Sequence, residues 1–359
     1  MGIIDCNVEC HYYNKNEEEQ KTTNFYNTED MNNKNNLTIF TKLNDLIPEK
    51  IMKYIKSNKL SYKSFIPSFS HKFLSNATQF PDENIFFGNL NSSNNMEGYG
   101  IYILYSTKII TEGYWNNGIL IYGRIFFPNN DIYEGYISKS LPDGIGKMTY
   151  SNGEIYKGEF KLGELTGKGI YIFNDNTYYC GDLKNGAFDG NGTMKWSNGI
   201  EYHGSFCNSK LFNKGKMYHD LLKEKYIGNF ENNEFNGNGI YKYQNGDEYN
   251  GNFEYGKRRG KGSYKIENRF EYDGMWDHDL PNGEGVLIGK NFKIKARFKD
   301  GKFLNIIEVL EGENIDFDNI DLDIKARNRK IIPSSLLHLN SYYETEISEY
   351  SIVSKTKFI

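Results

Sequence analysis

The sequence is poor in the features that define several large protein classes. It has no apolar run of about 18 residues, which argues against a membrane-spanning helix. Its start lacks the basic flank and apolar core of a secretory signal, so we expect a cytoplasmic protein. With seven prolines in 359 residues it is not a proline-rich linker. The formal net charge of -4 gives no reason to expect nucleic acid as a partner.

Cysteine is also scarce, and reactive residues are not clustered. Cys6, Cys10, Cys180 and Cys207 match no zinc spacing and are too few for a disulfide framework. His203 lies near Cys207 without an organised acid, and the alternation of a strand predicts that the two point to opposite faces. No Gly-X-Gly pair sits in a strand-to-helix turn, so none indicates a nucleotide. We expect no catalytic residue, no metal and no cofactor, and hence not an enzyme.

Tyrosine and glycine are abundant, with 29 and 36 copies, and they recur at a fixed period. A phrase of Tyr, any residue, Gly, any residue and a large apolar residue returns about every 23 residues, which indicates a repeat architecture. The tyrosines are Tyr133, Tyr156, Tyr179, Tyr202, Tyr226, Tyr249 and Tyr272. The glycines are Gly135, Gly158, Gly181, Gly204, Gly228, Gly251 and Gly274. The apolar residues are Ile137, Phe160, Leu183, Phe206, Phe230, Phe253 and Trp276.

The second half of each copy predicts a β-hairpin. A Gly-X-Gly, such as Gly144 with Gly146, precedes large side chains at every second position, and Asn152-Gly153 then precedes the next tyrosine. Alternation on both sides of an Asn-Gly favours two antiparallel strands joined by a tight turn with positive φ at both central residues. One face of the sheet should be apolar, and the other should be polar and exposed to solvent. The glycine two residues after each repeat tyrosine has no side chain, so it should leave a space that aromatic rings of adjacent strands cover.

These phrases resemble the MORN family, the membrane occupation and recognition nexus repeats, from Phe86 to about Phe303. The resemblance implies an all-β fold, an elongated twisted antiparallel β-meander of about nine hairpin repeats with short helical or disordered flanks. We expect a disordered segment over 1–40, then a basic amphipathic helix and an irregular segment over 41–80. The repeat array should occupy 86–303, followed by a tail over 304–359 that caps its end or reaches back to its groove.

An uncovered aromatic face on a single sheet predicts a partner-binding groove. We expect a non-enzymatic scaffold that binds a helical or extended segment of a cytoskeletal or membrane-associated protein. The predicted contact residues are Tyr150, Tyr171, Phe173, Trp196, Tyr241, Tyr243 and Tyr264. The oligomeric state is left open, a homodimer included.

Two other functions stay open at this point. Gly2 with Cys6 and Cys10 offers myristate and palmitate sites, which together would make a stable anchor at the inner face of a membrane. A basic cluster in the loop of a late repeat would then bind anionic phospholipid. Its residues are Lys257, Arg258, Arg259 and Lys261. The other alternative is a regulatory subunit of an enzyme.

Overall fold

A computed structural model describes residues 77–312, except residue 268. Regular structure in this range is entirely β-strand, with no helix, so the all-β antiparallel meander predicted from the sequence is confirmed. The acylation sites Gly2, Cys6 and Cys10, the amphipathic helix and the tail beyond 312 lie outside the described residues and stay predictions.

The described residues fall into two compact units, one ending at Asn174 and one starting at Asp175. The first contains β1 (Ala77–Gln79), β2 (Ile85–Leu90), β3 (Met96–Leu104), β4 (Ile109–Asn116), β5 (Ile119–Phe126), β6 (Ile132–Ser138), β7 (Leu141–Thr149), β8 (Ile155–Lys161) and β9 (Glu164–Ile172). Within this unit each strand pairs antiparallel with the next along the chain.

The second unit has the same arrangement. Its strands are β10 (Tyr178–Lys184), β11 (Ala187–Lys195), β12 (Ile200–Cys207), β13 (Lys210–His219), β14 (Glu224–Glu231), β15 (Glu234–Lys242), β16 (Glu248–Glu254), β17 (Lys257–Lys265), β18 (Glu271–Asp277), β19 (Leu280–Ile288), β20 (Lys293–Lys299) and β21 (Lys302–Glu311). Successive strands again pair antiparallel. Among the described residues, strands occur from Ala77 to Glu311, which is beyond both ends of the array expected at 86–303.

Two kinds of loop alternate along the strands, and the sequence-based prediction placed the two-residue turn at the wrong one. At Asn152-Gly153 only Gly153 has positive φ, and its N–H donates to the Tyr150 carbonyl at 3.0 Å. This is a three-residue type of loop that ends in a left-handed glycine. The two-residue turns with positive φ at both central residues lie in the middle of each copy, for example at Leu162-Gly163. There the demand for positive φ explains the glycine.

The repeat tyrosines define one face of each unit, which we call the tyrosine face. Gly158 on β8 pairs with Gly169 on β9, and the ring of Tyr156 lies across both glycines. The ring therefore comes from the same strand as the first glycine, not from an adjacent strand as the sequence suggested. A Cβ on Gly158 would come within 2.6 Å of the Gly169 Cα atom. The glycines are needed because backbone and ring approach so closely.

Each repeat tyrosine is fixed at both ends. Its hydroxyl donates to the backbone carbonyl three residues further on, at 2.6–3.0 Å, in all seven copies. From Tyr202 to Tyr272, each ring packs edge-to-face on the aromatic residue of its own copy and on that of the next, and Tyr179 packs on Phe206 of the next copy. In the second unit these ring pairs have centroid separations of 5.0–5.5 Å. The order is Tyr179, Phe206, Tyr202, Phe230, Tyr226, Phe253, Tyr249, Trp276, Tyr272 and Phe298.

The expectation that the face opposite the tyrosine face is exposed to solvent throughout is wrong for the first strands of unit 1. Ile85, Phe87, Ile103, Ile110 and Phe126 form a buried apolar cluster there. Because Phe86 and Trp115 occupy the tyrosine face of the same strands, β2 and β4 are buried on both sides. The repeat motif does not predict this second buried face, because the tyrosines and glycines of the motif all belong to the tyrosine face.

Candidate partner-binding surface

The predicted aromatic groove divides into buried and half-buried rings. Tyr150, Phe173 and Tyr243 are half-buried, at the points where β7, β9 and β15 run into their loops. The other four predicted contact residues are at most 5% exposed, so the expectation that they present open rings is wrong. They are Tyr171, Trp196, Tyr241 and Tyr264. We call Tyr150, Phe173 and Tyr243 the rim rings.

The buried rings lie beneath or beside the rim rings. In unit 1 Tyr171 stacks on Tyr150 with centroids 5.9 Å apart and contacts Phe173 at 4.8 Å. In unit 2 Tyr243 contacts Tyr241 at 4.5 Å and Tyr264 at 5.8 Å. The tyrosine face therefore covers itself, since each ring is packed by those of neighbouring strands. Tyr150, Phe173 and Tyr243 keep part of their surface accessible.

Buried carboxylates anchor this layer. The hydroxyl of Tyr171 donates to Glu154 at 2.7 Å, and that of Tyr241 donates to Glu224 at 2.7 Å. Burial raises the pKa of Tyr241 far above its usual value, and the bond to Glu224 raises it further. The neutral hydroxyl is thus retained as a donor to the carboxylate. The bonds fix the platform on which the rim rings rest.

A third acid also connects successive loops. Asp247 is buried and accepts the hydroxyl of Tyr264 at 2.8 Å and the backbone N–H of Glu267 at 3.1 Å. In unit 1 Asp131 plays the same part towards the backbone N–H of Ser151, at 2.7 Å. Each such bond joins one loop to the loop one repeat later, some 20 residues along the chain.

The sequence contains a signal for these acids that the prediction of contact residues did not use. Asp131, Glu154 and Asp247 each stand two residues before a repeat tyrosine, so strand alternation places them on the tyrosine face. A carboxylate at an apolar position predicts a buried polar partner, because burial without one is costly. Tyr171 and Tyr264 supply that partner from the neighbouring strand.

The basic cluster is not the exposed loop that the sequence predicted. Its residues begin β17. Arg258 is buried at 2% exposure, with its guanidinium carbon 4.5 Å from the centroid of the Trp276 ring and its Nη2 donating to the Asp279 carbonyl at 2.9 Å. It therefore cannot bind a lipid headgroup. Lys257, Arg259 and Lys261 remain exposed, Arg259 in ion pairs with Glu254 at 2.8 Å and Asp277 at 3.7 Å.

His203 and Cys207 do not form a reactive pair. Both lie on the same exposed side of β12, contrary to the prediction of opposite faces, because they are four residues apart. That spacing separates them by about 13 Å along a strand. The two ring nitrogens of His203 contact Thr193 at 2.8 Å and Glu201 at 2.6 Å. The described part of the chain also holds no cluster of metal-ligating side chains.

No helix within residues 77–312 is long and apolar enough to cross a membrane.

Comparison with known proteins supports the repeat assignment. The MORN repeat profile matches six segments: 133–155, 156–178, 179–201, 226–248, 249–268 and 272–292. The unmatched interval from 202 to 225 is the copy in which Asn213 replaces the first glycine of the Gly-X-Gly and no Asn-Gly follows. No curated protein matches the sequence.

Several solved structures resemble the chain at low identity. The TCP10 domain of Danio rerio CPAP is 11% identical, with a TM-score of 0.32 over 65% of this chain and 99% of that domain. The Drosophila melanogaster SAS-4 (dCPAP) TCP domain, solved with a proline-rich motif of Ana2, is 16% identical, with a TM-score of 0.25 over 47% of this chain and 84% of that one. Scores this low carry no inference about function. The six repeat matches, with the regular hairpins between them, identify MORN repeats in the part of the chain from residue 133 to residue 292.

Proposed function

We propose that this chain is a non-enzymatic scaffold in the cytoplasm whose tyrosine face binds a helical or extended segment of a cytoskeletal or membrane-associated protein. The observation that carries the proposal is that the rim rings, two in unit 1 and one in unit 2, are half-buried and rest in each unit on a fixed, buried layer of tyrosines and carboxylates. Rigid aromatic side chains that keep part of their surface exposed are typical of interface anchor residues.

The spacing of the rim rings in unit 1 suits a regular partner segment. Tyr150 and Phe173 stand at the same end of β7 and β9, with one strand between them, and therefore about 10 Å apart. Seven residues of α-helix or three residues of extended chain cover the same distance. A partner with large apolar side chains at either spacing would place one on each ring.

The test is affinity capture combined with proximity labelling of the full chain in its native cell. A variant carrying Tyr150→Ser, Phe173→Ser and Tyr243→Ser should lose capture of its main partners by about tenfold or more. The buried Trp196 is left intact, because truncating it would disturb the fold. The control carries Phe212→Ser and Tyr255→Ser, at 46% and 70% exposure and outside the rim row. Equal capture by both variants would refute the rim rings as the binding surface.

A membrane tether stays the second candidate, because Lys257, Arg259 and Lys261 keep exposed side chains. Unacylated protein should then float with vesicles that contain anionic phospholipid, and a variant with all three residues changed to Gln should not. Gly2→Ala tests the acyl anchor separately, since it removes the myristate acceptor. Retained membrane localisation in that variant would exclude the anchor. If the chain is instead a regulatory subunit of an enzyme, we expect it to bind that enzyme through the same rim rings. Affinity capture should then recover the enzyme.

A further inference from the structure

The face opposite the tyrosines in β2 to β6 differs from the same face elsewhere. One row across β3, β4, β5 and β6 consists of Tyr99, Tyr114, Tyr122 and Tyr136, paired strand to strand. Two ring pairs in this row are edge-to-face, at 5.4 Å and 5.2 Å. In five of the six later repeats the position of Tyr136 is polar, as at Glu159 and Asn252. The first strands are therefore aromatic on both sides.

The next rows of this face are buried, and one of them is charged. Arg124 forms an ion pair with Glu112, which also accepts the hydroxyl of Tyr99, and the two charged residues are only 1% and 3% exposed. Beside them Ile103, Ile110 and Phe126 belong to the apolar cluster. A sheet that is open to water on this side would leave an arginine and a row of isoleucines exposed.

Within residues 77–312 no element crosses this face, because the described chain of unit 1 is a single antiparallel sheet. Burial of Arg124 and the cluster therefore requires a further layer. Ala77, at the start of β1, already packs against the cluster. Ala77 is the first described residue, so the described chain begins directly beside this face.

The segment over residues 59–76 has the chemistry that this face requires. It contains Phe65, Phe69 and Phe73 for the apolar rows. It has no acidic residue, and its basic residues are Lys59, Lys63 and Lys72. The carboxylates of Glu97 and Glu134, both partly exposed, belong to the same face as the tyrosine row. The lysines and phenylalanines of residues 59–76 therefore complement the carboxylates and apolar rows of this face.

We propose that residues 59–76 dock in cis on the face of β2 to β6 opposite the repeat tyrosines, and that this segment caps the N-terminal end of the repeat array. The cap covers the apolar cluster and the Arg124–Glu112 pair. It reserves this face for the chain itself and leaves the rim rings for other molecules. The inference is independent of the proposed scaffold function.

Limited proteolysis of the full chain tests the cap. Trypsin should cut after Lys63 and Lys72 about tenfold more slowly than after Lys15 and Lys21, because a docked segment is cleaved only when it opens. A variant with Phe69→Ser and Phe73→Ser should lose that protection. The matched control carries Phe25→Ser and Tyr26→Ser, which lie outside the segment and should leave the protection unchanged.

Cross-linking identifies the occupant of the face. In an equal mixture of isotopically light and heavy full-length protein, cross-links between Lys72 and Lys147 should join residues of one chain only. Mixed light–heavy links would instead assign the face to a second copy and overturn the cis proposal. Equal cleavage after Lys72 and Lys15 in the unaltered protein would overturn the cap altogether.

Discussion

At the scale of single residues, the fold depends on glycines that leave room for a ring. Tyr156 lies over Gly158 and Gly169, with its hydroxyl bonded to the Glu159 carbonyl at 3.0 Å. This ring cannot move aside without breaking that bond and its edge-to-face contact with Phe160. The same arrangement recurs wherever the phrase recurs, so each repeat tyrosine holds its own hairpin together.

The variant Gly158→Val should therefore destabilise the protein by about 2 kcal/mol or more, because its side chain would meet both the Tyr156 ring and the facing backbone. Urea unfolding followed by circular dichroism measures the change. The control is Gly153→Asn, where no atom lies within 4 Å and asparagine tolerates the positive φ of 95°. Equal loss of stability in both variants would contradict the account.

The hydroxyl of Tyr241 allows a second test at this scale. Tyr241→Phe leaves Glu224 buried without its donor, so the free energy of unfolding should fall by about 2–3 kcal/mol. Tyr226→Phe removes a bond of 2.9 Å to the backbone carbonyl of Asn229 and should cost only about 1 kcal/mol. The two variants are compared by urea unfolding. A larger effect for Tyr226→Phe would show that the carboxylate layer does not stabilise the face.

At the scale of strands and loops, the connection between neighbouring hairpins is polar as well as aromatic. Asp247 accepts bonds from Tyr264 and from the loop at Glu267. In Asp247→Ala the hydroxyl of Tyr264, itself fully buried, and the backbone N–H of Glu267 lose their acceptor. We expect a cost of about 2–3 kcal/mol.

Hydrogen exchange of Asp247→Ala should show faster exchange in β16 to β18, next to the altered loop. Exchange in β6 to β9 should be unchanged, because the stability of repeat proteins is built from contacts between neighbours. Glu248→Ala is the control, since it removes only a surface ion pair to Lys242. A uniform increase along both units would contradict this local coupling.

The elements themselves could be predicted because the alternation and the glycine spacing repeat. The turn geometry could not, since Asn152-Gly153 looks like a two-residue turn until the loop's hydrogen bonds are known. Likewise, the exposure of a ring depends on its neighbours across strands. Tyr150 and Trp196 occupy equivalent positions two repeats apart, yet Trp196 is buried and Tyr150 is not. The repeat period predicts which residues belong to the tyrosine face, but it does not predict which of their rings stay exposed.

At the scale of the whole molecule, the many buried tyrosines predict a steep dependence of stability on alkaline pH. Burial raises the pKa of Tyr133, Tyr156, Tyr202, Tyr226 and Tyr249 above the ordinary value near 10. The unfolded chain therefore releases protons first as the pH rises. Stability is fully present below about pH 10 and falls above it, by about 1.4 kcal/mol per pH unit for each such tyrosine.

An alkaline titration measures this effect. Tyrosinate absorbance of the buried set should appear together with the loss of the β-sheet circular dichroism signal, in one cooperative step above pH 10. The reverse titration should restore both. Complete ionisation near pH 10 with the β signal intact would show that the repeat tyrosines are open to water, against the packing described above.

The central claim is that a partner sits on the rim rings of the tyrosine face, and hydrogen exchange of the full chain with and without its captured partner tests it most directly. The account predicts slower exchange in the loops that carry these rings, at residues 150–154 and 243–247, where Gly153 and Gly246 donate within the loop. Slower exchange confined to strands on the far side from the rim, with these loops unchanged, would contradict it.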